Sequence, residues 1–205
     1  MFPNLPLEPS DGGQRAARVC IASYEILGPS KNGGIGTAYH SLGTTLAAAH
    51  HDVTILYLWA SRSEEREMSY WESHFRTLGI AFVPLPTSSG IVDVPHCMQT
   101  AFDAHAWLRK QQFDVIHFPE LHGHGYYCIL GKHQGLDFQH TVLCVGTHSP
   151  IAWIREQNKE APYSAEELEM DFMERQSVAL ADVVVSPSQY MLEWMQRRGW
   201  AATRV

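Results

Sequence analysis

The chain has 205 residues, 45% of them hydrophobic and 18% charged, with a formal net charge of −7. That length suits one large domain with its own core, and the acidic balance excludes a general basic surface for nucleic acid. No apolar run reaches about 18 residues, so no membrane-spanning helix is expected. The four cysteines (Cys20, Cys97, Cys128 and Cys144) are scattered with no CxxC pair. They fit a reduced, cytosolic setting better than a secreted disulfide framework.

Residues 1–17 open with prolines and glycines and lack a basic region followed by an apolar one, which predicts a flexible leader and not a signal peptide. Arg18–Tyr24 reads as a buried strand. A loop follows to Asn32, then a helix from Ile35 to His50, with Ala38, Leu42, Leu46 and Ala49 at helical spacing. Asp52–Leu58 is the second strand. Ser63–Leu78 is a charged helix with Met68, Trp71 and Phe75 on one face. Gly79 ends it before the strand Ile80–Leu85. Thr87–Val94 is loop, and His96–Gln112 is a helix with Cys97, Ala101, Ala104 and Leu108 on one stripe.

Phe113–Phe118 is the fourth strand, Pro119–His124 a loop, and Gly125–Gln134 a short helix. Gln139–Thr147 is the fifth strand. His148–Pro162 is irregular or partly helical. Ser164-Ala-Glu-Glu167 forms a capping box that opens a helix to about Leu180. Asp182–Ser186 is the sixth strand, Ser188–Arg198 a helix, and Thr203–Val205 the start of a seventh strand. Apolar strands alternating with amphipathic helices predict an α/β fold, Rossmann-like, with a doubly wound parallel sheet.

In such sheets ligands bind beyond the carboxyl ends of the strands. Three polar clusters fall there: Gly33–Gly36 after the first strand, Glu120–His124 after the fourth, and Thr147–Ser149 after the fifth. Glycines at a strand-to-helix corner let the backbone approach a ligand. The helix that begins there offers unpaired N–H groups and the positive end of its dipole, which suits a phosphate. The dinucleotide fingerprint fails, because Tyr39 stands where its third glycine belongs and strand two ends Tyr57-Leu-Trp-Ala60 without an acid. The NTPase loop fails because Gly34-Ile35 stands where Lys-Ser/Thr is required.

The run Ser23-Tyr-Glu-Ile-Leu-Gly-Pro-Ser-Lys-Asn-Gly-Gly-Ile-Gly36, with Thr45-Leu-Ala-Ala-Ala-His-His-Asp-Val-Thr-Ile-Leu56 behind it, resembles the N-terminal half of family-4 (group 1) glycosyltransferases. Phe113-Asp-Val-Ile-His117 and Ala181-Asp-Val-Val-Val-Ser-Pro-Ser-Gln-Tyr190 continue the resemblance. His50 stands where that family usually has glycine. The resemblance implies half of a GT-B fold, two Rossmann-like domains facing across a cleft. Residues 18–205 would form the acceptor-side domain. The donor-binding C-terminal domain, which carries the family's pair of glutamates, is expected to be absent from the chain, and the fragment alone inactive.

The implied reaction moves a sugar, hexosyl in type, from a nucleotide-sugar donor to an acceptor hydroxyl on a glycan or glycoconjugate. The nucleotide sugar serves as co-substrate and no cofactor is implied. The implied partners are the donor, a carbohydrate or lipid-linked acceptor, and the C-terminal domain. A lipid-linked acceptor would place a cytoplasmic protein at the membrane periphery. Gly33 and Gly34 match the family's Gly-Gly beside the donor diphosphate, with Gly36 next to them. His148 matches a histidine near the transferred sugar, although a histidine here also serves to cap local backbone. Glu120 is a candidate to take the acceptor hydroxyl's proton or to bond its sugar, and His122 is a candidate by proximity. Relatives often carry His-Glu or His-Asp in this loop, whereas Pro119 precedes Glu120 here. Arg155 is a candidate for an anionic acceptor or phosphate, or a surface partner of Glu156 or Glu160. The histidine spacing matches no compact zinc pattern, so no metal is expected. Two other readings stay open at this stage: a glycan-binding module without turnover, and a sugar-nucleotide epimerase of related architecture.

Overall fold

A computed structural model describes residues 15–30, 33–59, 66–86, 94–161 and 164–201. The leader up to residue 14, the loop 87–93 and the seventh strand at Thr203–Val205 lie outside the described residues. The elements in chain order are β1 (Arg18–Ser23), α1 (Gly34–Ala48), β2 (Asp52–Tyr57), α2 (Met68–Thr77), β3 (Ile80–Pro84), α3 (His96–Leu108) and β4 (Val115–Pro119). A single 3-10 turn (Leu121–Gly123) then leads into α4 (Tyr126–His133), β5 (Val142–Gly146), α5 (Ile151–Gln157), α6 (Ala165–Leu180), β6 (Val183–Val185) and α7 (Gln189–Arg197).

All six strands are parallel, in the order β3-β2-β1-β4-β5-β6. This is the doubly wound, Rossmann-like order, whose reversal point lies between β1 and β4. The strands are apolar on both faces because helices cover both. On one face Cys20, Ala22, Ile116, Phe118, Leu143 and Val145 meet Ala104, Leu108, Ile129 and Val178 of α3, α4 and α6. On the other, Ile21, Val53, Ile55 and Tyr57 meet Ile35 and Tyr39 of α1 and Trp71 and Phe75 of α2. Phe75, fully buried, stacks on Phe82 at 4.9 Å. Burying one such ring contributes about 1.5–3 kcal/mol.

The stripe predicted for α1 holds in its middle: Leu42 and Leu46 pack against the core, while Ala38 and Ala49 are exposed and the buried positions are Ile35, Gly36, Tyr39 and Gly43. A Cβ on Gly43 would stand 3.6 Å from the tips of Ile21, Ile55 and Ile80, so its absence lets the helix sit close on the sheet. The stripe predicted for α3 is buried throughout, but the helix stops at Leu108 and not Gln112. Residues 109–112 are all exposed and have nothing to bury. Strand β5 starts at Val142 rather than Gln139, because Phe138 takes a φ of +59° and its carbonyl receives the Thr141 amide in a turn. Ser164 caps α6 as expected, its hydroxyl accepting the Glu167 amide at 3.2 Å. His50 has a φ of +64°, the left-handed geometry that glycine adopts at no steric cost.

Candidate functional site

The reversal point of the sheet opens into a cavity of about 690 Å³, within the size range of small-ligand sites. Its walls come from the N-terminus of α1 (Gly33, Gly34, Ile35, Tyr39), from His117 on β4, and from Gly146, His148 and Ser149 at the end of β5. Glu25, Leu121, Ile154 and Val185 complete the rim.

The α1 corner is shaped by its glycines in three different ways. Gly36 packs inward: a Cβ would stand 3.2–3.3 Å from the backbone of Ile26 and Leu27. Gly33 is the extended N-cap, and a Cβ there would collide with the Glu25 carboxylate at 1.9 Å. Gly34 faces outward, with no atom of the described residues within 4 Å of a Cβ position. No side chain caps the first amides of α1 by the usual N-cap bond. Instead the Glu25 carboxylate comes in from the preceding loop and lies beside the corner; burial raises its pKa and the Gly36 amide lowers it by less. A carboxylate at this terminus is what the helix dipole favours. Ser23 holds the start of that loop, its hydroxyl donating to the Glu25 carbonyl at 2.7 Å.

His148 lines the cavity, and burial lowers its pKa. Glu120 sits beneath it and does not line the cavity. Fully buried, it accepts the amides of His148 at 2.6 Å and Ser149 at 2.5 Å through Oε1. Burial pushes its pKa up to about 7 against those amide bonds. Its bonds make Glu120 a group that positions the His148 loop. His122 lies behind the loop, with a φ of +64°, its ring edge-on to Tyr24 and His124 and its amide donating to Glu174 at 2.9 Å. Burial takes its pKa down to about 4. Arg155 is turned away from the cavity and bonds Glu160 and Glu167. The seven candidates therefore divide. Gly33, Gly34 and His148 meet at one cavity, whereas Gly36, Glu120, His122 and Arg155 build its surroundings.

Three polar cavity residues, Glu25, Tyr39 and His117, were not among the site candidates from sequence, although His117 belongs to the histidine group weighed there for a metal. His117 carried a signal, a polar residue inside the apolar run Val115-Ile-His-Phe118 of a parallel strand. Tyr39 carried a weaker one, on the turn of α1 that follows the glycines. Among the described residues, no three His, Cys, Asp or Glu side chains gather as a metal-binding group.

Residues 33–205 match the family model described as a glycosyl transferase 4-like domain. The chain belongs to that family. The match begins at Gly33, the N-cap of α1, and includes every cavity residue named above except Glu25. Among solved structures, apo UGT2 of Phytolacca americana is similar at 10% identity and a TM-score of 0.50, over 86% of this chain and 47% of that one. The glycotransferase of kitacinnamycin matches at 14% identity and a TM-score of 0.35, over 91% and 41%. The likeness to UGT2 shows a shared fold, and the glycosyl transferase 4-like chain spans less than half the length of either structure. No curated protein matches the chain.

Proposed function

We propose that this domain is the acceptor-side half of a two-domain enzyme that moves a sugar, hexosyl in type, from a nucleotide-sugar donor to an acceptor hydroxyl. The observation that carries this reading is the convergence of the open Gly34 face, the N-terminus of α1 and His148 on one cavity at the reversal point of the sheet. The helix terminus suits the negative charge that develops on a leaving diphosphate. The Glu25 carboxylate already lies beside that terminus, so a diphosphate there displaces it or binds next to it. His148, neutral above its lowered pKa, offers a hydrogen bond to a sugar hydroxyl. The chain alone is inactive on this reading, and a C-terminal domain supplies the donor-binding wall. The nucleotide sugar is the co-substrate and no cofactor is required. The protein works in the cytoplasm, at the membrane surface where the acceptor is lipid-linked.

The test is turnover of UDP-glucose, UDP-galactose and GDP-mannose by the complete protein that contains this domain, with nucleoside diphosphate release as the readout. Gly34→Trp is expected to abolish turnover and leave the thermal midpoint in place, since no atom of the described residues opposes the start of its side chain. No turnover by the complete protein, or full turnover by Gly34→Trp, would sink the enzyme reading and leave a glycan-binding module. Release of free sugar without an acceptor would favour an epimerase-type reaction instead.

A further inference from the structure

A second cavity, of about 390 Å³, opens among α3, α4 and α6. Among the described residues it shares no lining with the cavity at the reversal point. Tyr126 and Tyr127 at the start of α4 line it, as does Phe172 of α6. The three rings are inclined to one another: Tyr126 lies 5.8 Å from Phe172 at 69° and 5.2 Å from Tyr127 at 56°. Met98 of α3 and the buried Met173 of α6 add apolar surface. Much of this surface is left open. Leu168 is 60% exposed, Phe172 53%, and Phe102, edge-on to Tyr127, 38%. Apolar residues exposed together in this way mark a place where something binds.

One carboxylate interrupts the apolar lining and narrows the ligand. Glu169 stands three residues before Phe172 and four before Met173, a spacing that puts all three on one face of α6. It lines the cavity, its Oε2 is buried, and no described group hydrogen-bonds to that oxygen. A buried carboxylate oxygen without a donor is costly and calls for a partner. Among the described residues that line the cavity, none carries a positive charge. The surroundings are acidic as well. Helix α6 holds five carboxylates, Glu166, Glu167, Glu169, Asp171 and Glu174, against one cation, Arg175. Arg175 is taken up by Asp171, and Arg155 of α5 by Glu160 and Glu167. The field of the acids reaches α3: burial raises the Cys97 thiol to about 11, and the charges of Glu166 and Glu169 add to that rise.

An ammonium group meets both demands. It donates to the orphaned carboxylate oxygen, and its charge is drawn to aromatic faces, the more so where water is excluded. We propose that this cavity binds an organic ammonium cation, its head between Glu169 and the rings of Tyr126, Tyr127 and Phe172, its apolar stem along Leu168 and Met98. The site stands apart from the sugar-transferring reading, since it uses other residues and a ligand of opposite charge to a diphosphate. A free amine and a lysine side chain carry the same head group, and the experiment separates the two sources.

The experiment is NMR of this chain with methyl-¹³C-labelled methionine, at neutral pH and fixed ionic strength. Met98 and Met173 line the site and report on it, while Met191 and Met195 of α7, packed in the core, serve as internal controls. The probes are benzylamine and N-acetyl-lysine methylamide, with benzyl alcohol and benzoate as the uncharged and anionic controls. Saturable shifts of Met98 and Met173, without those of α7, at an affinity about tenfold or more above that of benzyl alcohol support the site. The tighter of the two ammonium probes then assigns the source, benzylamine to a free amine and the lysine amide to a protein side chain. No saturable shift with either ammonium probe, shifts of all these methionines together, or benzyl alcohol or benzoate bound as tightly as benzylamine overturns it. Glu169→Gln keeps the shape and removes the charge, and is expected to bring benzylamine down to the affinity of benzyl alcohol; an unchanged preference overturns the site. Phe172→Leu removes one ring at a half-exposed position, should fold as the wild type does, and is expected to weaken benzylamine roughly two- to fivefold; unchanged affinity overturns the part given to the rings.

Discussion

Glu120 should make the folded chain less stable as pH rises. Its carboxyl is fully buried and its pKa is pushed from an ordinary 4.5 to about 7. The unfolded chain releases this proton near 4.5, while the folded chain keeps it until about 7. Stability is therefore full below 4.5 and is lost as pH rises through 7. At 1.36 kcal/mol per pKa unit the loss is about 3 kcal/mol. Glu120→Gln retains an oxygen for the His148 and Ser149 amides and has no proton to lose. The buried histidines 117, 122 and 124 have lowered pKa values, so they lower stability on acidification instead. They are present in both chains and cancel in the difference. The assay is urea unfolding of wild type and Glu120→Gln in parallel, from below pH 4.5 to above pH 7. The gap should move by about 3 kcal/mol in favour of the variant across that window. Two curves that stay parallel would refute the buried, proton-holding carboxylate.

The glycines of the α1 corner should separate folding from binding. Gly34→Ala is expected to leave stability unchanged or raise it by about 0.4–1 kcal/mol, whereas Gly33→Ala drives Glu25 aside and lowers the thermal midpoint; equal midpoints in a melt would contradict the geometry. Gly123→Ala meets both a φ of +63° and the Met173 Cβ at 2.4 Å, so urea unfolding should show a loss above about 2 kcal/mol. Glu25→Gln removes the carboxylate that competes for the α1 terminus, and calorimetry should find UDP bound about two- to fivefold more tightly. Weaker binding would mean that Glu25 holds the ligand rather than its place.

The architecture was legible because it rests on local pattern. Six apolar runs, each followed by an amphipathic helix, leave few alternatives to a parallel sheet. The placing of Gly34 and His148 at one sheet edge was legible too, since Gly34 follows β1, which borders the reversal point, and His148 follows β5, the next strand but one. The roles of the acidic groups were not. Glu120 and Glu25 look alike in sequence, each a carboxylate just beyond a strand, yet one is sealed beneath a loop and the other faces the cavity. That difference depends on which side of the backbone the loop passes, and the sequence does not encode it locally. Arg155 shows the same limit: its partner Glu167 is twelve residues on and reaches it only because α6 folds back on α5. The ends of the α1 stripe were misread for a third reason. Counting apolar residues picks out Ala38 and Ala49, but the helix buries Gly43 against Ile21, Ile55 and Ile80, and a glycine has no side chain to count.

The shape of the cavity wall follows from an accounting of loop amides. Between β4 and α4, and between β5 and α5, the chain leaves the sheet, and its N–H groups lose their ladder partners. Two buried glutamates receive them. Glu120 takes those of His148 and Ser149, and Glu174 of α6 takes those of His122 and Ile151, both at 2.9 Å. The Glu120 amide in turn donates to the Gly146 carbonyl, which closes the loop onto the strand that carries the cavity floor. Each glutamate raises the other's burden: the charge of Glu120 adds to the burial that pushes the Glu174 pKa well up. Both carboxylates ionised together is thus the costly state, and one proton held between them relieves it. The β4–β5 side of the cavity is fixed by carboxylates, while the α1 side is fixed by the approach of Gly36 to Ile26 and Leu27. Between those two walls the cavity is lined by Glu25, Tyr39, His117 and His148. Substitutions at Glu120 or Glu174 should therefore act on ligand binding through the placement of His148, and a Glu120→Gln chain that keeps the His148 ring resonances of the wild type should bind the same sugars with unchanged affinity.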